Sequence, residues 1–370
     1  MSGLYIGLMS GTSLDGVDAV LVDFDSAQAR VLGHTSAAMP AALKAELLAL
    51  NSPTHDELHR AALAANGLVR LYARQVEALL AQCGVPAHTV KAIGAHGQTV
   101  RHRPQEFDGT GYTLQLNNPS LLAELCGITV VADFRSRDVA AGGQGAPLVP
   151  PFHKAFFGKA DQSLAVLNIG GISNITVLDP TEPDVLGFDC GPGNALMDAW
   201  CLTHTGHEYD YAGRWAAQGL VHAGLLARLL DEPFFAKPPP KSTGRDLFNA
   251  PWLASKLVGF GTLTAQDVQA TLTELTALAC ARSLMDSCPD CKTLVVCGGG
   301  VLNDYLMARL QMALPTCRVT SSAEWGLPPF QVEATAFAWL ASRTMLGQTS
   351  SLKSVTGAQG ARILGAIYPV

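Results

Sequence analysis

Apolar and polar positions follow two patterns along the chain, one typical of buried strands and one typical of helices. Short aliphatic or β-branched runs predict strands at Leu4–Met9, Val17–Phe24, Lys91–Gly94, Ile128–Phe134, Leu164–Ile169, Ile175–Leu178 and Thr293–Cys297. Apolar residues at helical spacing predict helices at Ala41–Leu50, Glu57–Cys83, Ala195–Cys201, Leu220–Leu230, Thr264–Met285, Leu302–Leu314 and Glu333–Leu346. Because strands and helices alternate along the chain, the sequence predicts an α/β protein.

Two pairs of predicted strands are joined by turns rich in glycine and hydroxyl residues. The first turn is Ser10–Gly16, and a turn of the same kind, Gly170–Asn174, follows much later in the chain. Each joins strand to strand, whereas the glycine loop of a Walker A motif or a dinucleotide fingerprint opens a helix. The recurrence predicts two related lobes that each begin with a glycine-hydroxyl hairpin.

The length of 370 residues is enough for two or three domains. We expect residues 1–133 and a C-terminal segment from about 345 to 370 to form the first lobe, with the first hairpin. Residues 134–344 are expected to form the second lobe, with the second hairpin.

The first hairpin turn has the composition of a phosphate-binding loop. Glycines let backbone N–H groups approach an anion, hydroxyl groups add donors, and a carboxylate such as Asp15 becomes favourable beside Mg²⁺. The alternative is a tight hairpin whose glycines serve only the turn. The residues expected to bind a nucleotide and its metal are Gly11, Thr12, Ser13, Leu14, Asp15, Gly16, Val17 and Asp18.

Two further glycine turns follow predicted strands in the second half of the chain. Gly170 and Gly171 give the second hairpin the same access to an anion, and Gly298 and Gly299 follow the strand Thr293–Cys297. A glycine turn also lets the backbone approach a flat group such as the adenosine end of a nucleotide. Three such turns predict a nucleotide between two lobes.

Four polar residues are candidates for the chemistry or for binding a second ligand. Asp189 lies where strand gives way to turn, between the second hairpin and the predicted helix Ala195–Cys201, and is either a general base or a turn carboxylate. His96 follows another strand and is either a ligand contact or a structural hydrogen-bonding residue. Arg135 and Arg137 would share a face in an extended segment, where they could bind a carboxylate or form an exposed edge.

Charge, hydropathy and cysteine content argue against a nucleic-acid-binding, exported, membrane-spanning or zinc-binding protein. There are 25 Lys and Arg residues against 31 Asp and Glu residues, so the basic surface typical of nucleic-acid binding is not expected. The N-terminus lacks the basic start of a signal peptide, and no window is apolar over the ~18–20 residues of a membrane span, so we expect a cytoplasmic protein. The nine cysteines are expected to be reduced, and Cys288 and Cys291 lack the second ligand pair of a zinc site.

Seven segments together resemble one enzyme family. They are LMSGTSLDGVD (8–18), GAHGQT (94–99), ADFRSRDVAAGGQGAPLVP (132–150), LNIGGISN (167–174), GFDCGPGNALMD (187–198), KSTGR (241–245) and CGGGVLN (297–303). In this order and over nearly the whole chain, they resemble the anhydro-N-acetylmuramic acid kinase family.

This resemblance implies a two-lobed actin/hexokinase-like ATPase fold, in which duplicated α/β domains surround a nucleotide cleft. It implies ATP binding at Gly11–Asp18 and a catalytic carboxylate at Asp189. The implied reaction uses ATP and water to convert 1,6-anhydro-N-acetylmuramic acid into N-acetylmuramate 6-phosphate, in peptidoglycan recycling. Because phosphoryl transfer needs charge stabilisation, we also expect Mg²⁺ as a cofactor. Family members are cytoplasmic and commonly dimeric.

Two alternatives to this activity stay open from the residues alone. One is a kinase of the same fold that acts on another sugar. The other is a non-enzymatic, actin-like switch protein that binds ATP.

Overall fold

The computed structural model describes residues 3–11, 14–25, 29–182 and 184–370. The strands, in chain order, are β1 (Leu4–Met9), β2 (Gly16–Asp23), β3 (Arg30–Ala38), β4 (Val90–Ala95), β5 (Gln98–Pro104), β6 (Gly111–Leu116), β7 (Val130–Ala132), β8 (Leu164–Ile169), β9 (Ile172–Leu178), β10 (Leu186–Pro192), β11 (Thr293–Cys297), β12 (Arg318–Ser321) and β13 (Ala366–Tyr368). The helices are α1 (Ala41–Ala49), α2 (Glu57–Cys83), α3 (Pro119–Cys126), α4 (Ser136–Ala140), α5 (Pro150–Phe157), α6 (Ala195–Thr205), α7 (Ala223–Leu230), α8 (Ala250–Lys256), α9 (Ala265–Ser287), α10 (Asp304–Ala313), α11 (Val332–Met345) and α12 (Lys353–Thr356). The predicted α/β class is confirmed, and every predicted strand and helix overlaps an observed one.

The chain forms two compact units. The first comprises residues 1–156 and 331–370, and the second comprises residues 157–330. Each unit has a central sheet and a hydrophobic core of its own.

The sheet of the first unit has the strand order β13-β7-β4-β1-β2-β3. Strands β1, β2 and β3 form an antiparallel meander, and β4 and β7 extend the sheet in parallel from β1. Leu8 of β1, Leu21 of β2 and Tyr72 of α2 belong to its buried core. A separate two-stranded sheet consists of β5 and β6.

The sheet of the second unit has the order β10-β9-β8-β11-β12. Strands β8, β9 and β10 are again an antiparallel meander, and β11 and β12 again extend the sheet in parallel from the first strand. Both units therefore share one five-strand topology, in which the first and second strands form the glycine hairpin. This agrees with the prediction of two related lobes from the two turns.

The unit boundaries differ from the expected ones. We expected divisions at 133/134 and 344/345, whereas residues 134–156 and 331–344 pack with the first unit. The physical reason is clearest for α11, which lies directly on β1 and β4: a Cβ added to Gly7 would lie 1.8 Å from Ala334 O, and one added to Gly94 would lie 2.1 Å from Phe337 O. The apolar helix α11 therefore covers the first sheet.

The structure also describes the state of the cysteines and the apolar character of the helices. All nine cysteines are free thiols. Cys291 N donates to Cys288 O (3.1 Å), so this pair forms a turn between α9 and β11. Among the helices that the structure describes, none is both long and apolar enough to cross a membrane.

Candidate functional site

The turn of the first hairpin is anchored by buried side chains from the rest of the first unit. Ser10 Oγ donates to Gly97 O (3.0 Å) and lies 2.9 Å from the hydroxyl of Tyr72. Gln98 Nε2 donates to Gly11 O (3.1 Å). Tyr72 and Gln98 were not among the predicted site residues, because only the fold brings them to this turn.

The turn itself has an unusual backbone and an available carboxylate. Leu14 has φ 57°, a left-handed conformation that is uncommon outside glycine, and Leu14 N donates to Gly11 O (3.1 Å). The Asp15 side chain is 78% exposed and lies 3.6 Å from Lys44 Nζ. The predicted residues Thr12 and Ser13 lie outside the described residues.

The last three residues predicted for this loop belong to β2. Gly16 begins the strand and Val17 is buried in the core. The Asp18 carboxylate lies 2.9 Å from His34 Nε2 of the neighbouring strand β3. Asp18 is therefore paired at the point where the hairpin leaves the turn.

His96 and Arg135, which were predicted separately, are in direct contact. Arg135 Nη2 and Nε lie 2.9 and 3.3 Å from His96 Nε2, and His96 Nδ1 lies 3.3 Å from Ser10 O. Burial and the Arg135 charge lower the pKa of His96 to about 3, so its imidazole is neutral. Nε2 therefore accepts from the guanidinium, and Nδ1–H points to the carbonyl at the start of the first turn.

The expectation that Arg135 and Arg137 share a face is wrong. Arg135 is at the N-cap of α4 and Arg137 is in its first turn, so the segment is helical and positions two apart diverge. Arg135 also donates to Gly145 O (2.8 Å), whereas Arg137 is exposed and borders a surface pocket with Asp133 and Arg362. The two arginines cannot form one fork through a shared strand face.

One charged group of the first unit was not predicted. Glu333 is in the first turn of α11. Burial raises the pKa of Glu333, the positive charge of Arg135 opposes that rise, and Asp18 adds to it. A lone acidic residue at the start of an otherwise apolar helix was the signal in the sequence that could have found it.

In the second unit, the turn of the second hairpin is shorter than predicted. Strand β9 begins at Ile172, so only Gly170 and Gly171 form the turn. Gly193 N donates to Gly171 O (3.0 Å) and Asn194 N donates to Gly170 O (2.7 Å). The start of α6 therefore packs directly on the glycine turn and fixes its carbonyl groups.

The third glycine turn lies beside the second hairpin. A Cβ added to Gly298 would lie 2.4 Å from Asn168 Oδ1 and 2.7 Å from Ile169 O, and Gly298 has φ 79°. Asn194 Nδ2 donates to Ile169 O (3.2 Å) and would lie 3.4 Å from a Cβ at Gly299. The predicted glycines at 170, 171, 298 and 299 are thus brought together at one end of the second sheet.

Asp189 lies within β10, three residues before its end, and not in a turn as expected. The pairing of β10 with β9 shifts register between Asp189 and Gly191, which marks a bulge beside the carboxylate. Asp189 Oδ2 accepts from Thr243 N (2.9 Å) and Ser242 Oγ (3.1 Å). Burial raises the pKa of Asp189, and these two hydrogen bonds oppose the rise.

Two amides lie in register with this carboxylate. Asp189 of β10 is opposite Asn174 of β9, and Asn174 is opposite Asn168 of β8. Directly opposite residues on neighbouring strands lie on the same face of a sheet. A row of polar side chains therefore runs from Asp189 through Asn174 to Asn168, which lies beside Gly298.

The candidate metal ligand Asp15 fits a magnesium ion that enters with phosphate groups. In proteins Mg²⁺ usually keeps several waters and takes one or two carboxylates besides phosphate oxygens. In the described ranges no group of three or more His, Cys, Asp or Glu side chains is arranged to bind a metal by itself. The exposed Asp15 carboxylate meets the smaller requirement.

Comparison with known proteins relates the whole chain to one family. The model of the family described as Anhydro-N-acetylmuramic acid kinase matches residues 3–370. Proteins of that name from Albidiferax ferrireducens and Variovorax paradoxus are 64% and 63% identical to this chain. The first alignment covers 100% of both chains and the second covers 99% of both.

Solved structures resemble the chain more remotely. A ROK family glucokinase from Streptomyces griseus, in complex with glucose and AMPPNP, is 12% identical with a TM-score of 0.42. That alignment covers 92% of this chain and 100% of the glucokinase. The relationship to a family therefore rests on the sequence relatives.

Proposed function

The chain belongs to the anhydro-N-acetylmuramic acid kinase family, and we propose that it performs the reaction of that family with Asp189 as the general base. The reaction opens 1,6-anhydro-N-acetylmuramic acid with water, transfers a phosphoryl group from ATP to the 6-oxygen, and releases ADP. The product is N-acetylmuramate 6-phosphate. The relatives do not support a kinase for another sugar or a non-enzymatic switch protein.

The observation that carries the assignment of the base is the environment of Asp189. Its carboxylate accepts two hydrogen bonds at one oxygen, Oδ2, from the loop Lys241–Arg245. The described contacts give Oδ1 no side-chain donor, and burial favours the proton-bound state. A fixed carboxylate with a raised pKa is suited to receiving a proton from water.

The substrate itself explains why such a base is needed. In the anhydro sugar the 6-oxygen is bonded to the anomeric carbon, so it has no free hydroxyl group. As water attacks the anomeric carbon, Asp189 takes its proton. The bond from that carbon to the 6-oxygen breaks, and the freed 6-oxygen attacks phosphorus in line with the departing ADP oxygen.

The glycine turns support binding of the phosphate groups. Among the described residues, the nearest atom beyond the chain neighbours to a Cβ added at Gly170 is Ile172 O, at 3.7 Å, so that side of the turn is not closely packed. Backbone amides in such a turn and Mg²⁺ supply positive potential where negative charge develops. We assign the phosphate groups to Gly11–Asp18, Gly170 and Gly171, the adenosine to Gly298 and Gly299, and Mg²⁺ to Asp15.

The sugar-binding residues belong to the same proposal. The lactyl carboxylate of muramic acid calls for a cation, and Arg135 supplies a half-buried guanidinium oriented by neutral His96. Arg137 is the exposed alternative. A cytoplasmic location and a homodimer are proposed from the resemblance of the sequence to the family.

The activity is tested by measuring ADP release with three acceptors. We expect ADP release with 1,6-anhydro-N-acetylmuramic acid and background rates with free N-acetylmuramic acid and without sugar. Mass spectrometry should show a product whose mass is that of the anhydro sugar plus one phosphoryl group and one water. Equal rates with and without the anhydro sugar would contradict the proposed function.

Substitution of Asp15 tests the metal assignment. Asp15→Ala should raise the KM for MgATP by about tenfold, since one carboxylate contact to a bound cation is worth at least about 1.4 kcal/mol. The fold should persist because the side chain is exposed. Initial rates over a series of MgATP concentrations measure this effect.

Lys44→Ala is the matched control for this substitution. It removes the cationic partner of Asp15 and leaves the carboxylate in place. If Lys44→Ala raises KM as much as Asp15→Ala, the ion pair orders the loop and Asp15 is not a metal ligand.

A further inference from the structure

The loop Lys241–Arg245 contacts two parts of the site in the second unit. At its start, Lys241 O accepts from Asp189 N (3.0 Å), and the next two residues donate to the Asp189 carboxylate. At its end, Arg245 Nη2 and Nε lie 3.2 and 3.5 Å from the position of a Cβ added to Gly171. One short loop therefore links the carboxylate to the glycine turn of the second hairpin.

Arg245 carries a charge that its surroundings do not neutralise. Its side chain is exposed, and among the described residues its guanidinium makes no ion pair and no hydrogen bond. Other arginines of this unit, such as Arg309 and Arg318, are paired with glutamates. The Lys241 ammonium, at the start of the loop, donates to Phe234 O and Phe235 O, so Arg245 is the cationic residue of the loop whose charged group makes no described hydrogen bond or ion pair.

The position of Gly171 shows that the Arg245 guanidinium lies against the glycine turn of the second hairpin. An added Cβ at Gly171 would make a tight contact with the guanidinium, so the absence of a side chain allows the cation to approach the turn. At Gly170, the other residue of the turn, the nearest described atom to an added Cβ, apart from the chain neighbours, is Ile172 O at 3.7 Å, so that side of the turn is not closely packed. An anion on this turn would meet backbone and guanidinium together, and a guanidinium binds phosphate oxygens through two parallel N–H groups.

We propose that Arg245 is a catalytic residue that binds the phosphoryl group during its transfer, while the other end of the same loop positions Asp189. This inference rests on the proposed function. Negative charge spreads over the phosphoryl oxygens while the bond to the ADP oxygen breaks and the bond to the 6-oxygen forms. A cation that binds these oxygens beside the turn stabilises that charge most strongly in the transition state.

The loop connects this step with activation of water. The water proton goes to Asp189, its oxygen bonds to the anomeric carbon, and the electron pair of the broken bond stays on the 6-oxygen that attacks phosphorus. Ser242 and Thr243 fix the proton acceptor, and Arg245 lies only two residues farther along. Binding a phosphoryl group at Arg245 would therefore also order the contacts of the base.

The test compares Arg245→Gln and Arg245→Lys with Arg282→Gln. Arg282 is an exposed arginine on α9 and serves as the matched control. We expect kcat to fall by about 100-fold or more in Arg245→Gln, the loss typical of removing one donor to a developing charge. Arg245→Lys should recover part of it, and Arg282→Gln should match the parent. ADP affinity should change less than threefold in all variants, because ADP lacks the transferred group.

A second measurement does not depend on the sugar. Aluminium fluoride with ADP imitates the phosphoryl group in transfer, so the parent should bind ADP more tightly in its presence. Arg245→Gln should lose most of that enhancement and keep its affinity for ADP alone. If the parent fails to turn over the anhydro sugar but shows this pattern, the proposed function fails and the assignment of Arg245 holds.

Two results would overturn the assignment of Arg245. The first is a kcat within threefold of the parent together with an unchanged aluminium fluoride effect. The second is a parallel loss of ADP affinity and thermal stability in Arg245→Gln, which would make the residue structural.

Discussion

Asp189→Asn is expected to lower turnover of the anhydro sugar by about 10²–10⁴-fold, the usual contribution of a general base. The amide keeps the shape of the side chain but cannot accept the proton of the attacking water. Its carbonyl oxygen can still accept from Thr243 N. We therefore expect the free energy of unfolding to stay within about 1 kcal/mol of the parent, and ATP affinity to stay nearly unchanged.

Asp246→Asn is the matched control for this prediction. Asp246 directly follows the loop that contacts Asp189, and its side chain is exposed. Single-turnover rates and urea unfolding should be measured for both variants. Turnover by a folded Asp189→Asn protein within a few-fold of the parent would exclude Asp189 as the base.

The pH profile gives a second signature of the same group. A base must be ionised to act, and burial raises the pKa of Asp189. The value of kcat/KM should therefore begin to fall, on acidification, at a higher pH than a solvent-exposed aspartate would give. The residual activity of Asp189→Asn should lack this acid limb.

The elements that the sequence predicted best are those with local causes. The strand bounds Leu4–Met9 and Leu164–Ile169 agree with the structure because a mostly apolar run is followed by a glycine-hydroxyl turn in each case. Strand β3 was not predicted, since its nine residues are partly exposed and lack a regular apolar alternation. It forms because its backbone pairs with the edge of β2, a contact that the local sequence does not reveal.

The site residues also divide into those with a local signal in the sequence and those that only the fold brings together. The glycines of the three turns could be found locally, because each turn follows a predicted strand. The contact of Asp189 with Ser242 and Thr243 spans more than 50 positions and could not be found from spacing. Arg135 was selected for a neighbour two positions away, whereas its main partner, His96, lies 39 positions away.

Gly7→Ala is expected to have the largest effect on stability. The new methyl group would lie 1.8 Å from Ala334 O and 2.8 Å from Ala338 N, both in the backbone of α11. A helix backbone on a sheet cannot move aside as the end of a flexible side chain can. We expect the free energy of unfolding to fall by about 3 kcal/mol or more, the upper end of the cost of overpacking. Urea unfolding followed by circular dichroism measures this change.

Gly67→Ala separates this steric cause from a general loss of glycine. Gly67 lies in α2, and among the described residues its added Cβ would meet the flexible end of Leu43, with the nearest atom at 3.3 Å. Alanine is favoured over glycine in a helix by about 1 kcal/mol, so this variant should be neutral or stabilised. If both variants unfold at the parent's urea concentration, α11 does not lie against β1 as described. Retained activity in a strongly destabilised Gly7→Ala protein would show that this contact supports the first unit's fold without setting the chemistry.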